Sequence, residues 1–175
     1  MLKKDRNKLN TGLDAIDKTE KLCNDLIKIV NDDTKVPKRK KYLGEMTLNH
    51  AIKSYENSRL ANNIIPNNDH DIKARISFST RAAYESFHTL TDLRLWNHNM
   101  NCDKKTKWYY EIMMKGVECN ELLTRWNQSN INMLDKDRKD VEEKRNKIIK
   151  KHEREKQIKK ELEEINADQQ YSDKH

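Results

Sequence analysis

Hydrophobic positions recur every three or four residues in four stretches of the chain, and this spacing predicts four amphipathic helices. The first is predicted over about residues 11–31, where the apolar line consists of Leu9, Leu13, Ile16, Cys23, Leu26 and Val30. The second is predicted from about 37 to 63, because Pro37 is tolerated at the first position of a helix. Its inward side consists of Leu43, Met46, Leu48, Ala51, Ile52, Tyr55, Leu60, Ala61 and Ile64.

Two further helices are predicted after the loop Pro66-Asn67-Asn68-Asp69, with Asp69 or Asp71 as the N-cap of the third. This third helix, about 70–98, has one apolar line of Ile72, Ile76, Ser79, Ala83, Phe87 and Leu90, and a second of Phe78, Ala82, Leu93 and Trp96. The fourth, about 104–128, is the most regular, since its apolar positions step by three and four: Tyr109, Ile112, Gly116, Cys119, Leu123 and Trp126.

Four amphipathic helices joined by short loops predict an all-α fold, an antiparallel up-down four-helix bundle. Three Gly and two Pro are too few for a protein of many short strands. Residues 131–175 differ, because they hold 13 basic and 12 acidic residues, often as opposite charges one helical turn apart. This pattern favours a long, solvated C-terminal helical extension over a coiled-coil zipper, since one seam position holds Arg138, Arg145 and His152. The predicted domains are a bundle, 1–130, and a charged helical tail, 131–175, which the fold does not need.

Composition narrows the class of protein further. Hydrophobic residues make up 34% of the chain and charged residues 37%, which predicts a thin core and argues against a large α/β enzyme. The first ten residues lack the apolar run of a signal peptide, and no 18 consecutive residues are apolar, so we expect a cytoplasmic protein without a membrane partner. Cys23, Cys102 and Cys119 are odd in number and far apart, which is typical of reduced packing thiols.

The chain shows no motif for catalysis or for a metal. It has no Gly-rich phosphate loop, nucleophile elbow or His-Glu-x-x-His, and its histidines and cysteines lack ligand spacing. We interpret His50 as a core-edge histidine rather than a general base, and His70-Asp71 as a pair explained by capping. The aromatic positions at helical spacing favour core or subunit contacts over base stacking; they are Trp96, Trp108, Tyr109 and Trp126. We therefore expect no catalytic residue, metal or cofactor.

The formal charge of +7 is concentrated outside the tail, since positions 1–130 hold 23 basic and 17 acidic residues. Basic residues surround the starts of the second and fourth helices, which lie at the same end of an up-down bundle. Helix starts lined with cations suit phosphate oxygens. The candidate nucleic-acid-binding residues are Lys35, Lys38, Arg39, Lys40, Lys41, Lys104, Lys105 and Lys107, together with Arg94 and Arg125, for which a position near a helix end is an alternative reason. Ordinary solubilising lysines remain an alternative for the whole set.

Helix 3 has more apolar surface than an isolated bundle buries. Its two adjacent apolar lines predict that Phe78, Trp96 or Trp108 stays partly exposed in a single chain. Contiguous exposed apolar surface is typical of an interface, so we expect a homo-oligomer.

Four short motifs follow one another along the predicted helices. They are residues 36–44, with the run Pro37-Lys38-Arg39 and ending Tyr42-Leu43-Gly44, then Ala61-Asn62, Leu93-Arg94-Leu95 and Trp126. Their order and spacing over about residues 12–129 resemble the accessory variability determinant (Avd) proteins of diversity-generating retroelements. The charged tail has no counterpart in this resemblance.

The resemblance implies a four-helix bundle that assembles into a pentameric ring with a basic surface. It also implies binding to the retroelement reverse transcriptase and to its structured template RNA, which supports mutagenic copying without catalysing it. Related four-helix proteins encoded in ribosomal RNA intervening sequences usually carry an Asn-x-Ala-Glu-Gly-like stretch at the end of helix 2, and residues 61–65 lack its Glu-Gly. A protein-binding four-helix scaffold of that type, without a retroelement role, is the alternative.

Overall fold

All regular structure that the computed structural model describes, over residues 3–99 and 106–172, is helical, which confirms the all-α class. Side chains are described for residues 12–96, 98–99 and 106–158. The elements are α1 (Lys3–Val30), a 3₁₀ turn (Lys38–Lys40), α2 (Lys41–Asn63), α3 (Asp69–Asn99) and α4 (Lys107–Ser172). The chain divides into two compact units, Met1–Leu134 and Asp135–His175.

The sequence pattern predicts that the fourth helix ends at about residue 128. Helix α4 instead continues to Ser172. No Gly or Pro follows Gly116, so no residue strongly disfavours helix beyond it. Asn130, two residues beyond the predicted end, is buried, and its Nδ2 donates to the Ser79 hydroxyl at 3.2 Å. Arg125 therefore lies inside a helix, and a position near a helix end no longer accounts for it.

The starts of α2 and α3 also differ from the prediction. Pro37 does not open α2, because its carbonyl accepts the N–H of Lys40 at 2.7 Å and closes the 3₁₀ turn that precedes the helix. Helix α3 is capped by Asn68 rather than by either aspartate. The Asn68 Oδ1 accepts the N–H of Asp71 at 2.9 Å, and its Nδ2 donates back to the Asp71 carboxylate at 2.8 Å.

The apolar line of α4 is the best predicted part of the core. All six of its positions are buried, as expected: Tyr109, Ile112, Gly116, Cys119, Leu123 and Trp126. Trp96 and Trp126 are the largest fully buried side chains. Phe78, Trp96 and Trp108 were the candidates for partial exposure. Trp96 is fully buried, whereas Phe78 and Trp108 are partly exposed.

Helix α2 packs differently from the prediction. Several apolar side chains expected to point inward are exposed, namely Leu13 on α1, Met46, Ile52 and Leu60 on α2, and Phe87 on α3. Small hydroxyl residues occupy the interior because they let helices approach closely while their hydroxyls find acceptors. Ser54 donates to the Ala82 carbonyl at 2.8 Å, and Thr47 accepts the indole N–H of Trp96 at 3.0 Å.

Gly44, the last residue of the 36–44 motif, has a packing reason to be glycine. A Cβ at this position would lie 2.9 Å from Cγ2 of Val30, closer than two carbons pack. Any larger residue would therefore force either the Val30 side chain or the backbone of α2 to move.

Candidate nucleic-acid interface

The first predicted basic cluster runs from Lys35, in the connection after α1, through the 3₁₀ turn to the start of α2. Lys38 and Arg39 are exposed, Lys40 and Lys41 are half-buried, and neither the turn nor the first turn of α2 contains an acid. These side chains stand at the positive end of the α2 dipole, so the helix adds to their field instead of offsetting it. The geometry favours an anion at this position.

Two members of this cluster are already paired within the chain. Lys35 Nζ lies 2.9 Å from Asp32 Oδ2, and Lys38 Nζ lies 3.6 Å from Asp33 Oδ2. Hydrogen bonds from Thr34, and then from Lys35, lower the pKa of Asp32 to about 2, so this carboxylate stays charged. Among the residues that the structure describes, the side chains of residues 39–41 form no ion pair. The unpaired part of the predicted site is therefore Arg39, Lys40 and Lys41.

The second cluster is described only at Lys107, because Lys104 and Lys105 lie outside the described residues. Lys107 is the first residue of α4, and its Nζ is 4.0 Å from Glu111 Oε1. Lys35 and Trp108 line one cleft of about 190 Å³, so the start of α4 lies beside the connection between α1 and α2.

Arg94 and Arg125 occupy different surroundings. Arg94 is exposed on α3 and lines an apolar groove of about 500 Å³ with His98, Tyr110 and Met114. Arg125 is paired with Glu121 at 3.2 Å, and it lies about 27 Å along α4 from Lys107 at the usual rise per residue. The structure thus separates Arg125 from the cluster at the helix starts.

A histidine and carboxylate cluster between α2 and α3 escaped the sequence analysis. His50 Nδ1 lies 2.6 Å from Glu85 Oε2, and its Nε2 lies 4.0 Å from Asp92 Oδ2, while its ring stacks on His88 with centroids 5.2 Å apart. Asp92 is buried with an Oδ2 that has no hydrogen-bond partner, and burial raises its pKa. The seven-residue spacing of Glu85 and Asp92, which places them on one side of α3, is the sequence signal that points to this cluster.

One further cation, Arg75, is structural. Its guanidinium lies over the Trp126 ring at 5.5 Å, and it donates to Asn130 Oδ1 at 3.1 Å and to the Ile64 carbonyl at 3.2 Å. Burial lowers its pKa, and these contacts leave little of it for a ligand.

The described cysteines pack in the core. Cys23 and Cys119 are free and buried, and burial raises the pKa of each thiol to about 12, which keeps them protonated. Cys102 lies outside the described residues. Within the described part of the chain, no three or more His, Cys, Asp or Glu side chains form a group that could hold a metal ion. No described helix combines the length and the apolar character needed to cross a bilayer.

Comparison of the chain with protein-family models, with curated proteins and with solved structures finds no match.

Proposed function

We propose that this chain is a non-enzymatic, cytoplasmic accessory subunit of a diversity-generating retroelement, of the Avd type. It binds the reverse transcriptase and the structured template RNA through a basic surface and thereby supports mutagenic copying of the template. The observation that carries the proposal is the unpaired group of Arg39, Lys40 and Lys41 at the positive end of α2. Such a group of fixed positive charges binds a polyanion more favourably than a neutral partner.

The proposed fold is an antiparallel up-down four-helix bundle, and contacts between helices support it. Between α1 and α4, Lys18 pairs with Glu118 at 2.8 Å, and Asp25 pairs with Lys115. The later residue of α1 thus contacts the earlier residue of α4. Thr47 contacts Trp96 at 3.0 Å, and Ser54 contacts Ala82 at 2.8 Å. In both helix pairs the residue number rises on one helix as it falls on the other, as antiparallel neighbours require.

Self-association into a pentameric ring is part of the proposal, and two grooves with exposed apolar side chains support it. One, of about 670 Å³, lies between α1 and α2, where Ile27, Ile52 and Leu60 line it together with polar and charged side chains such as Glu56 and Arg59. The other is the groove of Arg94, Tyr110 and Met114 between α3 and α4. Two different apolar faces on one chain fit a head-to-tail contact, which closes into a ring when the rotation allows it. A light-scattering mass equal to one chain at micromolar concentration would contradict this part.

The second candidate function is a protein-binding four-helix scaffold of the ribosomal intervening-sequence type. The same two grooves favour it, because exposed apolar clefts also receive side chains of another protein. It requires no binding of RNA, so an RNA measurement separates the two candidates.

The test combines identification of bound RNA with the salt dependence of affinity. Sequencing the RNA that co-purifies with the protein is expected to show enrichment of one structured RNA. Substitution of the four residues 38–41 by Gln should weaken binding of that RNA, and it should reduce the slope of log affinity against log salt by about one for each lost phosphate contact. Arg125→Gln is the control, because Arg125 is paired with Glu121 and lies apart from the cluster.

Two results would contradict parts of the proposal. If no RNA is enriched, and the substituted protein keeps the affinity and salt slope of the wild type, the protein-binding scaffold replaces the first proposal. If the substitutions lower affinity without flattening the slope, the cluster does not contact phosphates directly.

A further inference from the structure

The outer face of α3, defined by Arg81, Tyr84, Phe87, Arg94 and His98, is exposed along its whole length. At 3.6 residues per turn, Tyr84, Phe87, Arg94 and His98 lie within about 80° of one another around the helix, and Arg81 lies about 60° beyond Tyr84, at the edge of the face. The level of Arg81 and the level of Arg94 are about 20 Å apart at the usual rise per residue. Of these residues, only Arg94 belongs to the basic set predicted from the sequence.

Two aromatic side chains lie exposed at the centre of this face. Tyr84 is 61% exposed and Phe87 is 54% exposed, although the hydrophobic pattern predicts Phe87 inside the core. Both rings contact His88, with centroids 4.4 Å and 6.0 Å from the His88 ring in edge-on geometry. His88 in turn stacks on His50. The exposed rings therefore stand on a supported base rather than at the end of free side chains.

The exposed charged side chains of this face are positive. Between Lys73 and Asn99 the only acids are Glu85 and Asp92, and both turn towards His50 instead of towards solvent. Arg81 lies 5.8 Å from the Phe78 ring, and neither Arg81 nor Arg94 forms an ion pair with a described residue. The face thus presents unpaired arginines beside exposed rings, with the carboxylates of its own helix withdrawn.

We propose that the outer face of α3 binds single-stranded segments of RNA, with unpaired bases stacked on Tyr84 and Phe87 and phosphates held by Arg81 and Arg94. Aromatic platforms flanked by cations are the arrangement that proteins use for single strands, because every base has a π-face and every nucleotide a phosphate. This inference rests on the proposed RNA-binding function and assigns to it a second surface, distinct from the start of α2. A second protein copy is the other occupant to test, and the unbalanced charge of the face argues against it.

The test separates stacking from charge with two probes of equal length, about twelve nucleotides each. One is an oligoadenylate, and the other is an abasic oligomer with the same phosphates but no bases. The variant Tyr84→Leu with Phe87→Leu removes the rings while keeping apolar area and helix-forming side chains. The control Tyr84→Phe keeps both rings and removes only a hydroxyl.

The wild type is expected to bind oligoadenylate more tightly than the abasic oligomer, and the double Leu variant should lose this preference. Its affinity for oligoadenylate should fall about tenfold for each base that no longer stacks. Tyr84→Phe should behave as the wild type. Arg81→Gln with Arg94→Gln should weaken both probes equally and reduce the salt slope by about 1.4, since each phosphate contact on a single strand contributes about 0.7.

Each contrary result has a defined meaning. If the double Leu variant keeps the wild-type preference while the Gln substitutions at residues 38–41 still weaken RNA binding, the proposed function stands and the α3 surface is refuted. If the double Leu variant changes the light-scattering mass and not the RNA affinity, the face is a contact between copies. If the wild type binds neither probe nor any cellular RNA, both proposals fall together.

Discussion

Helix α4 belongs to both compact units, and its two parts use their residues in opposite ways. In 107–134 a buried position recurs every three or four residues, and the polar Asn130 is buried with hydrogen-bond partners. In 135–158 every residue is exposed, including Val141 and Ile148. The first part is therefore held by packing. The second is held by its own backbone hydrogen bonds and by local ion pairs such as Lys151 with Glu155, each contributing about 0.2–0.5 kcal/mol.

The largest expected difference between the two parts comes from truncating one apolar side chain in each. Leu123→Ala should lower the free energy of unfolding by about 2–5 kcal/mol, because Leu123 is fully buried and leaves a cavity. Ile148→Ala should change it by less than about 0.5 kcal/mol, since Ile148 is exposed. Urea denaturation followed by tryptophan fluorescence measures both. Equal losses would show that Ile148 is buried against a partner.

Two asparagines test the same contrast for polar groups. Asn130→Ala should destabilise the protein by about 1–3 kcal/mol, because it removes the buried amide that accepts from Arg75 Nε and donates to the Ser79 hydroxyl. Asn132→Ala, two residues later, removes an exposed side chain whose one hydrogen bond to a described residue comes from Gln128, so its effect should be within about 0.5 kcal/mol. Thermal melts of the two variants give the comparison. A neutral Asn130→Ala would mean that water replaces the lost contacts.

The buried carboxylate of Asp92 predicts a smaller, pH-dependent effect. Burial raises its pKa in the folded protein above the ordinary value of 3.8, while the charges of His50 and His88 act in the opposite direction. A raised folded-state pKa means that the protonated form stabilises the fold fully below 3.8, and that this contribution is lost as the pH rises through the folded pKa.

Asp92→Asn should remove that part of the pH dependence, because the amide does not titrate. The urea midpoint between about pH 4 and 7 should fall less steeply with rising pH in the variant than in the wild type. Asp140→Asn, an exposed residue of the second unit, is the control and should leave the curve unchanged. Parallel curves for wild type and Asp92→Asn would show that Asp92 does not titrate in this range.

The smallest expected effect is the removal of the second unit. Truncation after Leu134 should leave the melting temperature within about 4 °C of the full chain, since the described residues 135–158 bury nothing in this chain. Tryptophan fluorescence reports this directly, because Trp96, Trp108 and Trp126 all lie in the first unit. Loss of soluble protein would show instead that the tail packs between copies.

The sequence pattern predicted the helices well where the apolar spacing is regular. In α4 every position of the predicted line is buried. Apolar residues at steps of three and four lie on one side of a helix, so only one orientation of the helix buries them all. In α2 the pattern failed at Met46, Ile52 and Leu60, which are exposed. Ser and Thr count as polar in such a pattern, yet Thr47 and Ser54 lie inside because their hydroxyls find partners on their own helix or on α3.

The candidate site was predicted in part. Runs of basic residues are visible in the sequence, so the cluster at residues 38–41 could be named before the structure. The sequence could not show which of these cations are unpaired, because the pairing depends on the turn that brings Asp32 to Lys35 and Asp33 to Lys38. The outer face of α3 was missed for a related reason, since the pattern assigned Phe87 to the core.

Local chemistry alone determined the all-α class, the stretches that form helices and the basic character of the start of α2, because propensity and periodicity act over a few residues. The tertiary structure decided which side of each helix is exposed, and that Asn130 is buried within α4. It also turned Glu85 and Asp92 towards His50 and left Tyr84 and Phe87 in solvent. These outcomes depend on partners that are distant in sequence, since Ser54 and Asn130 are buried where α3 supplies a hydrogen-bond partner, the Ala82 carbonyl and the Ser79 hydroxyl.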